Sequence, residues 1–315
     1  MERTGKLIDT SLLLKSVINF AQFNIFQRHF ATDLPFLHAP TFRNEVQSLP
    51  PLLLLSFLAL TARFHPTLVE RHGGDPIKAA EYYQKAATPL VNKLGDPKLT
   101  TVQALLMLGL HEWGMNHGAS AWRLIKDAIH CAQYLNLHML DEEPDAHPST
   151  NSKGNARWNR TNPQSKKEEI IENEIKRRTF WGCFIMDCYL SVSNKYRPPS
   201  LHAKDIRVQL PCSDHAFIFG HEVDTMMLDE DEKAAGARFE RLNQLRRAAK
   251  QLGREQGVQA NGHTDTGYYH TWNDRYDDPG QEIGEKEGIL SRFIRALDLY
   301  GSVRRWVCSG GRRQR

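Results

Sequence analysis

Three groups of side chains in this 315-residue sequence are of types that could do chemistry. His111, Glu112 and His117 offer two imidazoles and a carboxylate, the donors of a metal-dependent hydrolase. Ligand histidines on one helix need a spacing of four to share a face, whereas here the spacing is six with Gly114 between them, so the group reads as polar side chains at a helix end. Asp274, Asp277 and Asp278 could hold a divalent cation, because clustered carboxylates suit magnesium. Their neighbours are loop-like and offer no rigid frame, so the competing reading is a solvated acidic turn. Cys183 and Cys188 point to different faces of a helix and read as small buried hydrophobes. The chain has no glycine-rich phosphate loop and no nucleophile elbow. On these grounds no catalytic, cofactor-binding or metal-binding residue is assigned, and the chain is not read as an enzyme.

The most informative stretch is Glu174, Ile175, Lys176, Arg177, Arg178, Thr179, Phe180 and Trp181. Glu174 precedes Arg177 by three residues and Arg178 by four, so either arginine can pair with it along a helix, for only about 0.2–0.5 kcal/mol if exposed. The residues alone therefore predict a surface network on a solvated helix face. Lys176 to Arg178 is also a weak nuclear-import or phosphate-binding signal.

The elements that must position these residues are helical. Apolar residues recur at intervals of three and four nearly throughout, and none alternates over strand length except a brief patch at Ile206, Val208 and Leu210. Helices are predicted over about 11–30, from Pro50-Pro51 through an apolar run whose leucines surround the axis, from about 76 to 94, and from Thr100, where Gln103 completes a capping box. After a turn at 114–118, Ser120 is placed to cap a helix that pairs with the preceding one as a hairpin. Further helices are expected over 168–193, 230–252, with a seam at Leu242, Leu245, Ala249 and Leu252, and 286–307, burying Ile289, Leu290, Phe293, Leu297, Tyr300 and Val303. Pro35 and Pro40 predict an extended connection through Phe36, Leu37 and His38.

The expected architecture is an all-α, multi-helical bundle with long polar loops: a tail at 1–10, a helical domain at 11–307 with insertions near 141–167 and 253–284, and a basic tail at 308–315. With 41 Lys and Arg against 37 Asp and Glu, a net charge of +4 permits a nucleic-acid partner without implying one. The composition, 40% hydrophobic and 25% charged, argues against collagen-like, disordered and polytopic membrane classes. The apolar run at 52–62 is too short to span a bilayer. No secretory signal opens the chain, and five scattered cysteines do not read as a disulfide framework.

Read in order, Leu34 to Phe42, Thr101 to Leu106 with Glu112 and Trp113, Ala121 and Trp122, Leu135 to His138, Glu174 to Trp181, Asp187, Tyr189 to Ser191, Arg197 and Pro198, and Asp205 to Pro211 resemble one family. It is the regulatory domain of fungal zinc-cluster transcription factors, the middle homology region or xylanolytic-activator type. The resemblance covers most of residues 20–305. It singles out Trp122, Glu174, Arg177, Arg178, Trp181, Asp187, Arg197 and Pro198 as family-motif positions, and Trp122, Trp181 and Tyr189 as structural nodes. The chain departs from the family pattern at Lys126 and His130, where glycine and arginine are usual, and at Tyr196, where a glycine commonly precedes the Arg-Pro pair.

The resemblance implies a nuclear regulatory domain of RNA polymerase II transcription, with transcription machinery, co-regulator proteins or a small-molecule effector as partners and no membrane. The family's zinc belongs to a six-cysteine DNA-binding module that the scattered cysteines cannot supply, so DNA is expected to bind weakly and without sequence preference. The family's domain also continues past the helix near Trp306; a chain without those helices is expected to be less stable or less soluble alone. Two other readings stay open: an all-α metal-dependent enzyme using the Asp274 group, and a helical scaffold.

Overall fold

The computed structural model describes residues 20–46, 48–142, 163–192, 199–258 and 287–308. Eleven α-helices lie among them: α1 (Phe20–His29), α2 (Ala39–Glu45), α3 (Pro51–Thr61), α4 (Pro66–Arg71), α5 (Pro76–Val91), α6 (Leu99–Gly114), α7 (Gly118–Tyr134), α8 (Pro163–Val192), α9 (Asp214–Phe219), α10 (Glu232–Val258) and α11 (Ile289–Cys308). The described residues contain no strand, only isolated antiparallel bridges at Gln209–Met227 and Cys212–Glu287. The protein is all-α.

Two helices form the centre. In α3 every residue from Leu52 to Thr61 is buried, as a helix with leucines all round its axis requires. Its two polar side chains are satisfied internally, Ser56 Oγ donating to the Leu52 carbonyl (2.7 Å) and Thr61 Oγ1 to that of Phe57 (2.9 Å). In α6 burial runs from Val102 to Glu112. Helices α1 and α5 pack on α3, α7 on α6, and α8 on both α6 and α7. The α6–α7 hairpin closes tightly because Gly109 has no Cβ: one built there would meet Ile125 Cδ1 at 2.4 Å.

Several boundaries differ from the sequence expectation. Pro40 does not break the chain; it sits in the first turn of α2, where a missing N–H costs nothing, and His38 caps that helix. The Thr100–Gln103 capping box does not form, since α6 starts at Leu99 and Gln103 is buried, donating to Thr179 Oγ1 across to α8 (3.1 Å). Ser120 is not a cap, because Asn116 at φ 63° turns the chain early and α7 begins at Gly118. Asp75 does cap α5, accepting from the Ile77 and Lys78 amides, with Pro76 at its first position. Helix α8 starts at Pro163, inside the predicted insertion. Leu245 in the predicted core seam is 66% exposed, and in α11 Ile289, Tyr300 and Val303 are exposed while Ile294 is buried instead.

Candidate functional site

Helix α8 presents Glu174, Arg178 and Trp181 at intervals of four and three, which puts them on one face. All three are buried, at 3%, 3% and 0% exposure. That corrects the expectation of a surface network. The face is covered by residues 34–38 and by the segment 200–214, which crosses α8 without forming a sheet.

Within this segment residues 206–212, buried except for the half-buried Arg207, lie outside helix and sheet, so water cannot reach most of their main-chain donors and acceptors. Side chains on and around α8 meet them one after another. Arg178 Nη2 donates to the Cys212 carbonyl (2.9 Å), and Glu174 Oε1 accepts from the Cys212 amide (3.1 Å). Trp181 Nε1 donates to the Gln209 carbonyl (2.7 Å), and the Gln209 amide donates to Asp141 Oδ2 (3.0 Å). Farther along the helix, Asp187 Oδ2 accepts from the amides of Ser200 (2.5 Å) and Leu201 (3.0 Å). The segment is thus strapped to α8 by carboxylates, a guanidinium and an indole in place of a neighbouring strand.

The charges of the strap are paired with one another. Arg178 Nε donates to Glu174 Oε1 (3.0 Å), and its Nη1 to Asp214 Oδ1 (2.9 Å); its guanidinium carbon lies 4.2 Å from the centre of the Phe217 ring. Arg177 holds Asp141 with two parallel hydrogen bonds, 2.7 and 2.6 Å, the fork geometry that makes arginine the stronger choice. Burial works against the charge on both arginines; for Arg177 the Asp141 bonds and for Arg178 the Glu174 charge prevail, so both pKa values are raised. The Cys212 thiol is pushed up by burial and then by the Glu174 carboxylate.

Lys126 on α7 ties in a second helix. Its ammonium, on a side chain only 14% exposed, contacts Asp187 Oδ1 (2.8 Å) and Ser200 Oγ, and lies 5.9 Å from the centre of the Trp122 ring. The departure from the family pattern at Lys126 therefore adds a buried ion pair. Tyr189 donates to Asp33 Oδ1 (2.7 Å) and stacks on Trp113 at 5.2 Å.

Of the residues singled out by sequence, Glu174, Arg177, Arg178, Trp181 and Asp187 converge on the strap, and Trp122 reaches it through Lys126. Arg197, Pro198, Asp274, Asp277 and Asp278 lie outside the described residues. His111 and His117 do not converge. Burial, then the Arg63 charge, lowers His111 to about 4; its Nδ1 lies 3.1 Å from both the Ala59 carbonyl and Arg63 Nη2. His117 is exposed and contacts Glu112 (2.9 Å). Among the described residues no group of three His, Cys, Asp or Glu side chains is placed to hold a metal ion. Sequence reasoning missed Asp141, Asp214 and Gln209; Asp141 stood in a polar stretch that reads as a surface insertion, and no local signal marks it.

Chemically the network is a positioning device: its acids and bases neutralise each other and pair with main chain. Beside it, a cleft of about 130 Å³ opens between α8, residues 212–224 and α10, where Arg177 and Glu174 face Asp224 and Arg246.

Comparison with known proteins gives a consistent picture. A family profile described as "Fungal specific transcription factor domain" matches residues 23–251. The "Zn(2)-C6 fungal-type transcription factor FTF1c" of Fusarium oxysporum f. sp. lycopersici is 31% identical over 208 residues, 65% of this chain and 21% of that protein. FTF2 of the same organism, with the same description, is 32% identical over 190 residues, 59% of this chain and 16% of that one. An "Uncharacterized transcriptional regulatory protein PB1A11.04c" of Schizosaccharomyces pombe is 30% identical over 184 residues, 57% of this chain and 24% of that one. The chain spans about a fifth of the length of the relatives it matches. No solved structure matches it.

Proposed function

The chain belongs to the fungal specific transcription factor domain family, and from that membership we propose that it is a helical regulatory segment controlling RNA polymerase II transcription in the nucleus. The observation that carries the reading is the family match over residues 23–251, which takes in the whole α8 strap. The names of the matched relatives favour it over the metal-enzyme and scaffold alternatives. In this reading the strap is the element with two packings. An effector or co-regulator that binds one packing more tightly than the other shifts their populations by that difference in affinity. The cleft beside Glu174 and Arg177 is where a small polar effector would meet the network. The partners are transcription machinery or co-regulators. DNA bound by this chain is held through the phosphates of the DNA backbone alone, weakly and with steep salt dependence. Among the described residues no helix is long and apolar enough to cross a membrane.

The test is a reporter assay in yeast with the chain fused to an unrelated DNA-binding module. Expected is an output several-fold above or below that of the module alone, shifted again by Arg178→Met. A fusion that accumulates in the nucleus, binds its promoter and leaves output at the level of the module alone would refute the proposal.

A further inference from the structure

Ser200, where the segment 200–214 begins, lies outside helix and sheet and is exposed. What lies beneath it is charged and closed to water. Its amide donates to Asp187 Oδ2, its Oγ meets the ammonium of Lys126, and that ammonium pairs with Asp187 Oδ1 at 2.8 Å. The Asp187 side chain is 1% exposed and that of Lys126 14%. A single exposed hydroxyl therefore touches the cation of an otherwise covered ion pair.

In the sequence, Arg197-Pro198-Pro199-Ser200 sets an arginine three residues before that hydroxyl. Basic-directed protein kinases select serine by this charge pattern. No other serine or threonine of the chain has an arginine at that spacing. A serine wound into a helix cannot be laid out in a kinase cleft, and Ser200 is not in one.

We propose that Ser200 is a phosphorylation site whose phosphate competes with Asp187 for Lys126 and so releases the near end of the strap from α8. In the transfer, Ser200 Oγ attacks the γ-phosphorus of a nucleoside triphosphate held by the kinase. The new O–P bond replaces the one to the β,γ-bridging oxygen, the nucleoside diphosphate leaves, and the hydroxyl proton passes to a carboxylate of the kinase. The phosphate brings a charge of about −1.5 to −2 at neutral pH. Before transfer one ammonium balances one carboxylate; afterwards the same ammonium faces that carboxylate and a more highly charged, hydrated oxyanion. Phosphate beside a carboxylate disrupts by like-charge repulsion, and the buried Asp187 has no water to replace its cation. The bonds that give way are those from the Ser200 and Leu201 amides to Asp187 Oδ2. The regulatory meaning of the site rests on the two-packing reading of the strap, but incorporation and unfolding are measured without a reporter, so a silent reporter with Ser200 phosphorylated would refute that reading alone.

The test treats the full chain with ATP and the catalytic subunit of cyclic-AMP-dependent protein kinase, a basic-directed kinase. Mass spectrometry should find phosphate on Ser200, absent from Ser200→Ala and largely lost from Arg197→Ala. The phosphorylated chain should unfold about 2–6 °C below the unmodified one. Ser200→Glu, which places one negative charge there without a kinase, should shift the midpoint in the same direction, and Ser200→Ala should not. Asp187→Asn leaves the phosphate alone with Lys126; phosphorylating that variant should no longer lower the midpoint, a result that mere crowding by the phosphate cannot give. Failure to phosphorylate Ser200, or an unchanged midpoint once it is phosphorylated, overturns the proposal. So does an equal downward shift in Asp187→Asn.

Discussion

Replacing Arg178 by methionine keeps a long side chain beside Phe217 and removes the guanidinium. Four acceptors lose a donor: Glu174 Oε1, Asp214 Oδ1 and the carbonyls of Cys212 and Pro35. They do not weigh equally. The Asp214 side chain is 81% exposed, so its arm contributes at most about 1 kcal/mol. Glu174, at 5% side-chain exposure, is left with the Cys212 amide at 3.1 Å and Arg177 at 3.5 Å. A buried charge stranded outright costs about 3–5 kcal/mol; with Arg177 and the Cys212 amide still beside Glu174 the lower end, about 3 kcal/mol, is expected, a large share of the about 5–15 kcal/mol that holds a domain together. Urea unfolding followed by tryptophan fluorescence and circular dichroism should show a midpoint lower by about 1–2 M. Adding Glu174→Gln removes the stranded charge, and the double variant should regain about 1–3 kcal/mol over Arg178→Met. A loss below about 1 kcal/mol for Arg178→Met, with strictly additive behaviour in the double variant, would mean that the pair behaves as a solvated surface pair and would refute the strap.

Three further outcomes follow from the same structure. The unfolded chain protonates His111 near 6.5 and the folded protein only near 4; stability is full above the first value and falls as pH drops to the second, by about 3 kcal/mol in all. His111→Gln should flatten that stretch of the stability–pH curve measured by urea unfolding, and an unchanged slope would contradict the assignment. Gly109→Ala gains about 1 kcal/mol of helix propensity yet places a Cβ 2.4 Å from Ile125 Cδ1, so a net loss of about 1–2 kcal/mol is expected; thermal unfolding of this variant alone and with Ile125→Val, which should recover part of the loss, decides it. Lys126→Met strips the 1%-exposed Asp187 side chain of its cation and should cost about 2–3 kcal/mol by the same urea assay, whereas a neutral result would place the pair in solvent.

The division between what could be read and what could not follows the range of the interactions. Helices α3, α5 and α8 are legible because a helix buries residues at its own period and proline or aspartate at its start acts on neighbouring amides. Capping failed as a guide at α6 and α7 because other demands acted there: Gln103 was recruited by Thr179 on α8, and Asn116 turned the chain before Ser120.

The candidate site divides in the same way. The residues of the Glu174–Trp181 stretch, their helical register and the family they signal are determined by the sequence alone, since all of that is local pattern. Whether Glu174 and Arg178 face water or the core is not local, because an i,i+4 ion pair has the same spacing on either face. Only the tertiary structure brought up the segment 206–212, whose Gln209 and Cys212 main-chain groups meet side chains of this network, and only it chose Asp214 as the partner of Arg178, Asp141 as that of Arg177 and Lys126 as that of Asp187. Those partners lie from 36 to 61 residues away along the chain, and no periodicity spans such a distance; what joins them is the cost of leaving a charge or an amide buried without a partner.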